Sequence, residues 1–309
     1  MRVTEAHEQL AAKFMHKQYW EAIPVPDAMR SLVALAFTEE EAMIVVELSF
    51  AAVPAAMVAR RVHRPVDEVS PLLDSLAERL LITGLTVKGI KTYGFLNFLP
   101  GLFEAQMIRA KAAPEGSEDR ARFVKFAALY EDIYHEVLTW LKPHVEGKDV
   151  RLGRIVPVFK SIEVSTGVLP LASDRFADII DRNKSFCLVN VCPCRYEMEL
   201  LGKGCGKPLD VCSAMGRLAD FCIDKGIARR VSKQEYIDAK VRAAEAGLVN
   251  MTDNLLNPLQ VCSCCSCCCS ALRILKEHNI PTLIASSHFE AAVDDAQCNA
   301  CGKCARKCP

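Results

Sequence analysis

The first 186 residues of this 309-residue chain contain no cysteine, and all 16 cysteines lie between Cys187 and Cys308. Thiol chemistry is thereby excluded from the front of the chain, which divides into a cysteine-free front and a cysteine-rich back. A charge of one sign is also lacking. Lys plus Arg and Asp plus Glu are each 38, so no global field draws in nucleic acid or an anionic membrane, and partners must be sought in local patches. No apolar run reaches the roughly 20 residues of a membrane-spanning helix; the longest, 42–59, carries Glu47 and Pro54. There is no basic start followed by an apolar stretch and a small-residue cleavage site, so the expected address is the cytoplasm. Thiols are kept reduced there, and a high cysteine count points to metal rather than to disulfides. No G-x-G-x-x-G on a βαβ unit, no P-loop and no organised Ser/His/Asp set is present. Nothing therefore marks a substrate site, and any flavin or organic chemistry belongs on a partner.

The densest chemistry is Val261 to Ser270, VCSCCSCCCS, with six thiols in eight residues: Cys262, Cys264, Cys265, Cys267, Cys268 and Cys269. Disulfides need Cα atoms about 4.4–6.8 Å apart and a near-perpendicular torsion, which adjacent residues meet only with strain. Such crowding fits a metal or metal–sulfur cluster, because each metal–sulfur bond removes a proton and relieves the repulsion between neighbouring thiolates. The simpler alternative is a structural zinc site, which would use four thiols at tetrahedral geometry.

The front reads as helices followed by a hairpin. Glu5 to Tyr19 is helical, and the turn Ile23-Pro24-Val25-Pro26 breaks the pattern. Thr38 with Glu41 forms a capping box that opens a helix through Leu48. Pro54 to Arg61 is a short helix, and Val66 to Leu81 a third, its regular part expected to begin at Pro71. Leu81 to Phe95 alternates around Gly84, Gly89 and Gly94 as a β-hairpin does. That order is winged-helix-like. DNA is nevertheless an unfavourable partner: Val66 to Leu80 carries Asp67, Glu68, Asp74 and Glu78 against Arg79, where affinity for phosphates would call for Lys and Arg. Protein docking is the better use. Lys111 to Glu118 reads as a linker, and Arg122 to Leu141 as an amphipathic helix that Pro143 ends.

In the back, the strand-like run Phe186 to Val191 leads into Cys192-Pro193-Cys194-Arg195. Cys205 and Cys212 follow, completing a C-x-C-x₁₀-C-x₆-C array that counts as one ligand set, among glycines able to approach a bulky cluster. A helix is expected over Leu209 to Asp224. Another, opened by the Ser232/Glu235 capping box and stopped by Gly247, serves only as a spacer. Cys187 and Cys222 lie outside the arrays and are left unassigned, free cysteine being common as a small buried hydrophobe. The last array, Cys298, Cys301, Cys304 and Cys308 before Pro309, is C-x₂-C-x₂-C-x₃-C-P. In the bacterial ferredoxin pattern the first three wrap one [4Fe–4S] cube and the fourth reaches another cluster.

With VCPCR and GCGKPLDVC, AEAGLVNMTDN leading to VCSCCSCCCSALR, the terminal run, and FLPGLFEAQM in the front, the chain resembles a family of 4Fe–4S-binding, ferredoxin-like proteins of anaerobic bacteria. The resemblance implies an iron–sulfur electron carrier or electron-transfer subunit. The chain departs from the family where Gly206-Lys207-Pro208 stands in place of an Asp-His-Pro, in Cys268, which looks like an addition, and in the missing second ferredoxin motif.

The expected fold is α+β and helix-rich: a winged-helix-like domain over 1–112, a connector and iron–sulfur domain with two cysteine arrays over 113–292, and a ferredoxin-type motif over 293–309. The expected function is electron transfer through about three [4Fe–4S] clusters, within or beside an oxidoreductase complex rather than as a stand-alone enzyme. The expected ligands are Cys192, Cys194, Cys205, Cys212, Cys262, Cys264, Cys265, Cys267, Cys269, Cys298, Cys301, Cys304 and Cys308. In the central loop the cluster is assigned to Cys262, Cys267 and Cys269 with Cys264 or Cys265, leaving Cys268 expendable. The expected partner is a redox protein, such as a flavin- or iron–sulfur-containing oxidoreductase. Two rival functions are a cluster-sensing transcription regulator and an enzyme with an unusual cluster in the Cys262 to Cys269 loop.

Overall fold

A computed structural model describes residues 2–15, 24–146, 148, 150–157, 176–286 and 291–307. The fold is mixed α/β and about half helical. No helix among the described residues is long and apolar enough to cross a membrane. The chain forms two compact units, Met1–Leu141 and Lys142–Pro309.

In the front unit α1 (Glu5–Met15) packs on α2 (Asp27–Ala36) and α3 (Glu39–Val46). The Thr38 hydroxyl accepts from the Glu41 amide and the Glu41 carboxylate from the Thr38 amide, so the capping box forms as read. Strand β1 (Val53–Pro54) leads into α4 (Ala55–Arg61), which packs on α5 (Val66–Glu78). The α5 helix begins at Val66 rather than at Pro71, which lies inside it, so the helix forgoes one backbone bond, to the Asp67 carbonyl. Strands β2 (Thr83–Val87) and β3 (Ile90–Gly94) form the expected hairpin, and β1 adds to it in the order β1-β3-β2. Lys88 and Gly89 make its two-residue turn, both with positive φ, the backbone hand that matches strand twist.

Helices α6 (Phe103–Ala110) and α7 (Glu118–Val145) complete the unit. The linker-like stretch 111–117 is a tight turn within it and not its edge. Phe103 stacks on Tyr130 with ring centroids 3.8 Å apart, and the Arg122 guanidinium donates to the carbonyl oxygens of Leu35 and Ala36. Pro143 lies inside α7, where the helix forfeits a single backbone bond.

The back unit is built on one seven-stranded sheet, in the order β10 (Ile284–Ala285), β4 (Gly153–Ile155), β8 (Val249–Asp253), β9 (Gln260–Cys264), β6 (Ser213–Met215), β5 (Phe186–Val189), β7 (Ala228–Arg230). Only the β10–β4 pair is parallel. The sheet has helices on both faces. On one, α8 (Phe176–Asp181) and α11 (Lys233–Glu245) bury Phe176, Ile179 and Tyr236 against Phe186, Leu188, Met215 and Val261. On the other lie α10 (Gly216–Asp224), against β5, β6 and β7, and α12 (Ser270–His278), whose Leu272 packs on Cys264. The helix expected from Leu209 begins only at Gly216, because 213–215 is spent on β6. The segment read as extended, Arg154 to Ser165, supplies β4, and its residues 158–165 lie outside the described ones.

Candidate metal centre

Strand β5 ends just before Cys192, which becomes the N-cap residue of α9 (Pro193–Leu200), with Pro193 in the first turn. The Cys192 amide donates to the Leu209 carbonyl at 2.6 Å and the Val189 amide to the Cys212 carbonyl at 3.0 Å. These bonds set Cys192 and Cys212 face to face, and their thiols share a hydrogen bond. The hydrogen bond from Cys192 pulls Cys212 down to about 6, helped by the charges of Arg195 and Lys240, while Cys192 is pushed up.

The other members of that array go elsewhere. The sulfurs of Cys205, Cys265, Cys267 and Cys268 all lie within 4.8 Å of one another. Cys205 Sγ is 4.0 Å from Cys265 Sγ, and Cys268 Sγ 3.8 Å from Cys267 Sγ. Around them close Met198, Val211, Ala243 and Leu248. Within this group Cys265 is drawn down to about 4, first by the hydrogen bond from Cys268 and then by Cys267 and Arg195. Its neighbour Cys268 is pushed up by the same bond, and burial pushes Cys267 to about 11. Gly206, beside Cys205, is needed for its positive φ of 69° and not for a close approach, since a Cβ there would meet nothing within 4 Å.

The remaining thiols of the loop face the opposite way. Cys264 and Cys269 pack with Leu272 of α12, and Cys262 lies against them with Ile155, Val249 and Met251. Cys269 engages the thiols of Cys194 and Cys264, and it is pulled well down by those two bonds and by the α12 amides of Ala271 and Leu272, as a thiol at a helix N-terminus should be. The sequence reading assigns one cluster to Cys262, Cys267 and Cys269 with Cys264 or Cys265 and leaves Cys268 out. The structure pairs Cys265 with Cys268 because 265–269 is a turn, closed by the Cys269 amide on the Cys265 carbonyl at 3.1 Å, and the helix begins only at Ser270. Cys268, set aside on sequence grounds, sits inside the four-thiol group.

Of the terminal run, Cys298, Cys301 and Cys304 are exposed, the last of them on α13 (Lys303–Lys307); Cys308 lies outside the described residues. Cys187 and Cys222 engage each other on the α10 face, Cys187 drawn down and Cys222 pushed up.

Two cations under the thiols went unnoticed in the sequence. Arg195, 2% exposed, donates from Nη1 to the Ser263 carbonyl at 2.7 Å. Its Nε and Nη2 have no oxygen or nitrogen acceptor and lie in the field of Cys192, Cys212 and Cys265; burial opposes its charge and the sulfurs outweigh that. Lys240 of α11 is fully buried, its Nζ donating to the carbonyls of Val211 (2.6 Å) and Val261 (2.8 Å) and to Ser263 Oγ (3.1 Å). Burial pulls it down to about 8 against the opposing pull of Cys212, Cys262, Cys264 and Cys192. The helix first read as a spacer therefore carries a charge to the cysteine loop. Its signal was present: Lys240 falls on the apolar stripe of Tyr236, Ala239 and Ala243.

The donor set fits a thiophilic metal. Sulfurs at the corners of a tetrahedron around one ion, with metal–sulfur bonds near 2.3 Å, stand roughly 3.8 Å apart, close to the separations in the Cys205 group. A four-iron cube would use the same thiols with the sulfurs spread wider, and the guanidinium N–H groups without an oxygen acceptor suit a sulfur-rich anion. Comparison with protein-family models, curated proteins and solved structures gives no match to this chain, so the function has to be argued from the site.

Proposed function

We propose that this chain is an iron–sulfur electron-transfer protein, a ferredoxin-like carrier or a subunit of an anaerobic redox complex, with about three [4Fe–4S] clusters. The observation that carries this reading is the meeting of Cys205 with Cys265, Cys267 and Cys268, brought from some 60 residues apart, with the buried Arg195 guanidinium in the field of Cys265. The ferredoxin spacing at Cys298, Cys301, Cys304 and Cys308 supports the choice of iron over other metals. When bound, such a cluster takes up and releases one electron and spreads the charge over several atoms. Arg195 and Lys240 offset negative charge at the thiolates, and Met198, Val211 and Leu248 pack on Cys265 and Cys268, the two buried members of the Cys205 group. Anaerobic titration with dithionite, followed by visible absorbance and electron paramagnetic resonance, should show reversible one-electron bleaching. A colourless protein that takes up no electrons would overturn the proposal.

The spacing of the Cys205 group favours a second reading, a single tetrahedral zinc or iron ion in that set. It would make the group structural, leaving redox chemistry to the terminal run.

We read the front unit as a winged-helix-like module for docking a redox protein. Its acids are committed internally: Asp74 accepts from Lys91 (2.9 Å) and Tyr93 (2.7 Å), Glu68 pairs with Arg64 (3.1 Å), and Glu41 pairs with Arg79. Native protein should show almost no affinity for duplex DNA. The double variant Asp67→Lys, Glu78→Lys, at exposed positions on α5, should create weak binding that fades with salt. Tight sequence-dependent binding by the native chain, measured by fluorescence anisotropy, would favour the regulator instead.

A further inference from the structure

Strand β9 distributes its thiols by alternation. Successive side chains of a strand point to opposite faces, so Cys262 and Cys264 share one face while Val261 and Ser263 share the other. The register agrees: Cys264 stands opposite Val249 and Cys262 opposite Met251, the residues that pack with them, whereas Ser263 stands opposite Asn250 and its hydroxyl donates to Asn250 Oδ1 at 2.9 Å. Past the strand end the turn continues the division. Cys265 and Cys268 join Cys205 in one apolar group, and Cys269 returns to Cys264 in another.

Cys194 reaches Cys269 from α9, so eight thiols divide four and four, and Cys192 with Cys212 stands apart as a pair. Each set takes one thiol from the region of the first array and three from the loop. We infer that Cys194, Cys262, Cys264 and Cys269 form a second thiolate metal centre, on the α12 face, beside the Cys205, Cys265, Cys267 and Cys268 centre and separate from it. This rests on the iron–sulfur reading for the identity of the metal but not for the division of the ligands. Each thiol loses its proton to water as its sulfur bonds a preformed cluster or a single ion delivered to the site, and no electron moves in that ligation.

The pairing has a consequence for electron transfer. Cys264 and Cys265 are neighbours in the chain and belong to different sets, as are Cys268 and Cys269. Neighbouring Cα atoms are about 3.8 Å apart, so two short covalent bridges join the centres. An electron on one centre is then felt by the other, and two reduced clusters should be magnetically coupled.

The test uses full-length protein prepared anaerobically, with serine at the least enclosed position of each set, Cys262 (half-buried) and Cys267 (exposed), where substitution disturbs packing least. Each single variant should lose about four iron atoms per chain and the Cys262→Ser, Cys267→Ser double about eight. The coupled resonance of the fully reduced wild type should become an uncoupled signal in either single variant. A second pair within one set, Cys262→Ser with Cys194→Ser, should lose no more than Cys262→Ser alone. If Cys194→Ser and Cys205→Ser remove the same metal, with no addition in the double, the thiols group by array along the sequence and the inference fails. Zinc without sulfide in the wild type would instead defeat the iron–sulfur reading. The division would still be tested, by the loss of one zinc from each set. A variant that loses all metal and its native far-ultraviolet circular dichroism is replaced by the Cys268→Ser or Cys264→Ser member of the same set, and dependence of the loss on the set still decides.

Discussion

Replacing Lys240 with methionine is expected to destabilise the back unit by about 3–5 kcal/mol, although the substitution preserves volume and apolar stem. The ammonium has no exposure and spends its three protons on Val211 O, Val261 O and Ser263 Oγ. Methionine takes one donor from each of two buried carbonyls, leaving Val211 O to Ser263 Oγ (3.1 Å) and Val261 O to Ser213 Oγ (2.9 Å), and the larger part of the cost is the buried charge lost beside the thiolates. It also removes a positive charge that acts on Cys262 and, with Arg195, on Cys212. Urea unfolding followed by circular dichroism reads the difference. A loss below about 1 kcal/mol would mean that water replaces the ammonium, and that the charge does little for the site.

Removal of metal should have the second large effect. In the back unit, thiols from three segments crowd together over two buried cations, and without metal the choice is between buried unpaired charge and buried repulsion. Structural metal centres contribute on the order of 10 kcal/mol to small domains. Chelation under mild oxidation, then reduction of the thiols, should therefore open the back unit to protease between residues 186 and 286. Residues 24–141, which have their own core around Leu32, Val45, Leu73 and Phe103 and no cysteine, should stay protected. Peptide mapping by mass spectrometry checks both halves of the expectation. Equal protection of the back unit with and without metal would show that its sheet stands alone.

Features fixed by neighbours in the chain were the legible ones. Thr38 with Glu41 and Ser232 with Glu235 opened helices as read, and the strand before Cys192 and the hairpin around Lys88-Gly89 formed. Much of the central sheet was not legible. Gly153–Ile155, Ser213–Met215 and Ala228–Arg230 are three residues each, too short for a two-residue period to show, and Ser213–Met215 was absorbed into a helix pattern. Spacing along the chain also failed to partition the thiols. Cys205 lies seven residues from Cys212 but meets Cys265 across the fold, and the direction of each loop thiol depends on where β9 ends and the turn begins. Arg195 looks like an ordinary surface charge in sequence, and Lys240 shows itself only by falling on the apolar stripe of α11; the packing of α9 and α11 on β9 makes them the cations beside the cysteines.

The most direct measurement is joint analysis of iron, acid-labile sulfide and zinc in full-length protein purified without oxygen from iron-replete cells. About twelve iron atoms per chain with a matching amount of sulfide are expected, from two centres in the core and one in the terminal run. Zinc at one or two atoms per chain with no labile sulfide would contradict that count and make the cysteine core a structural metal knot.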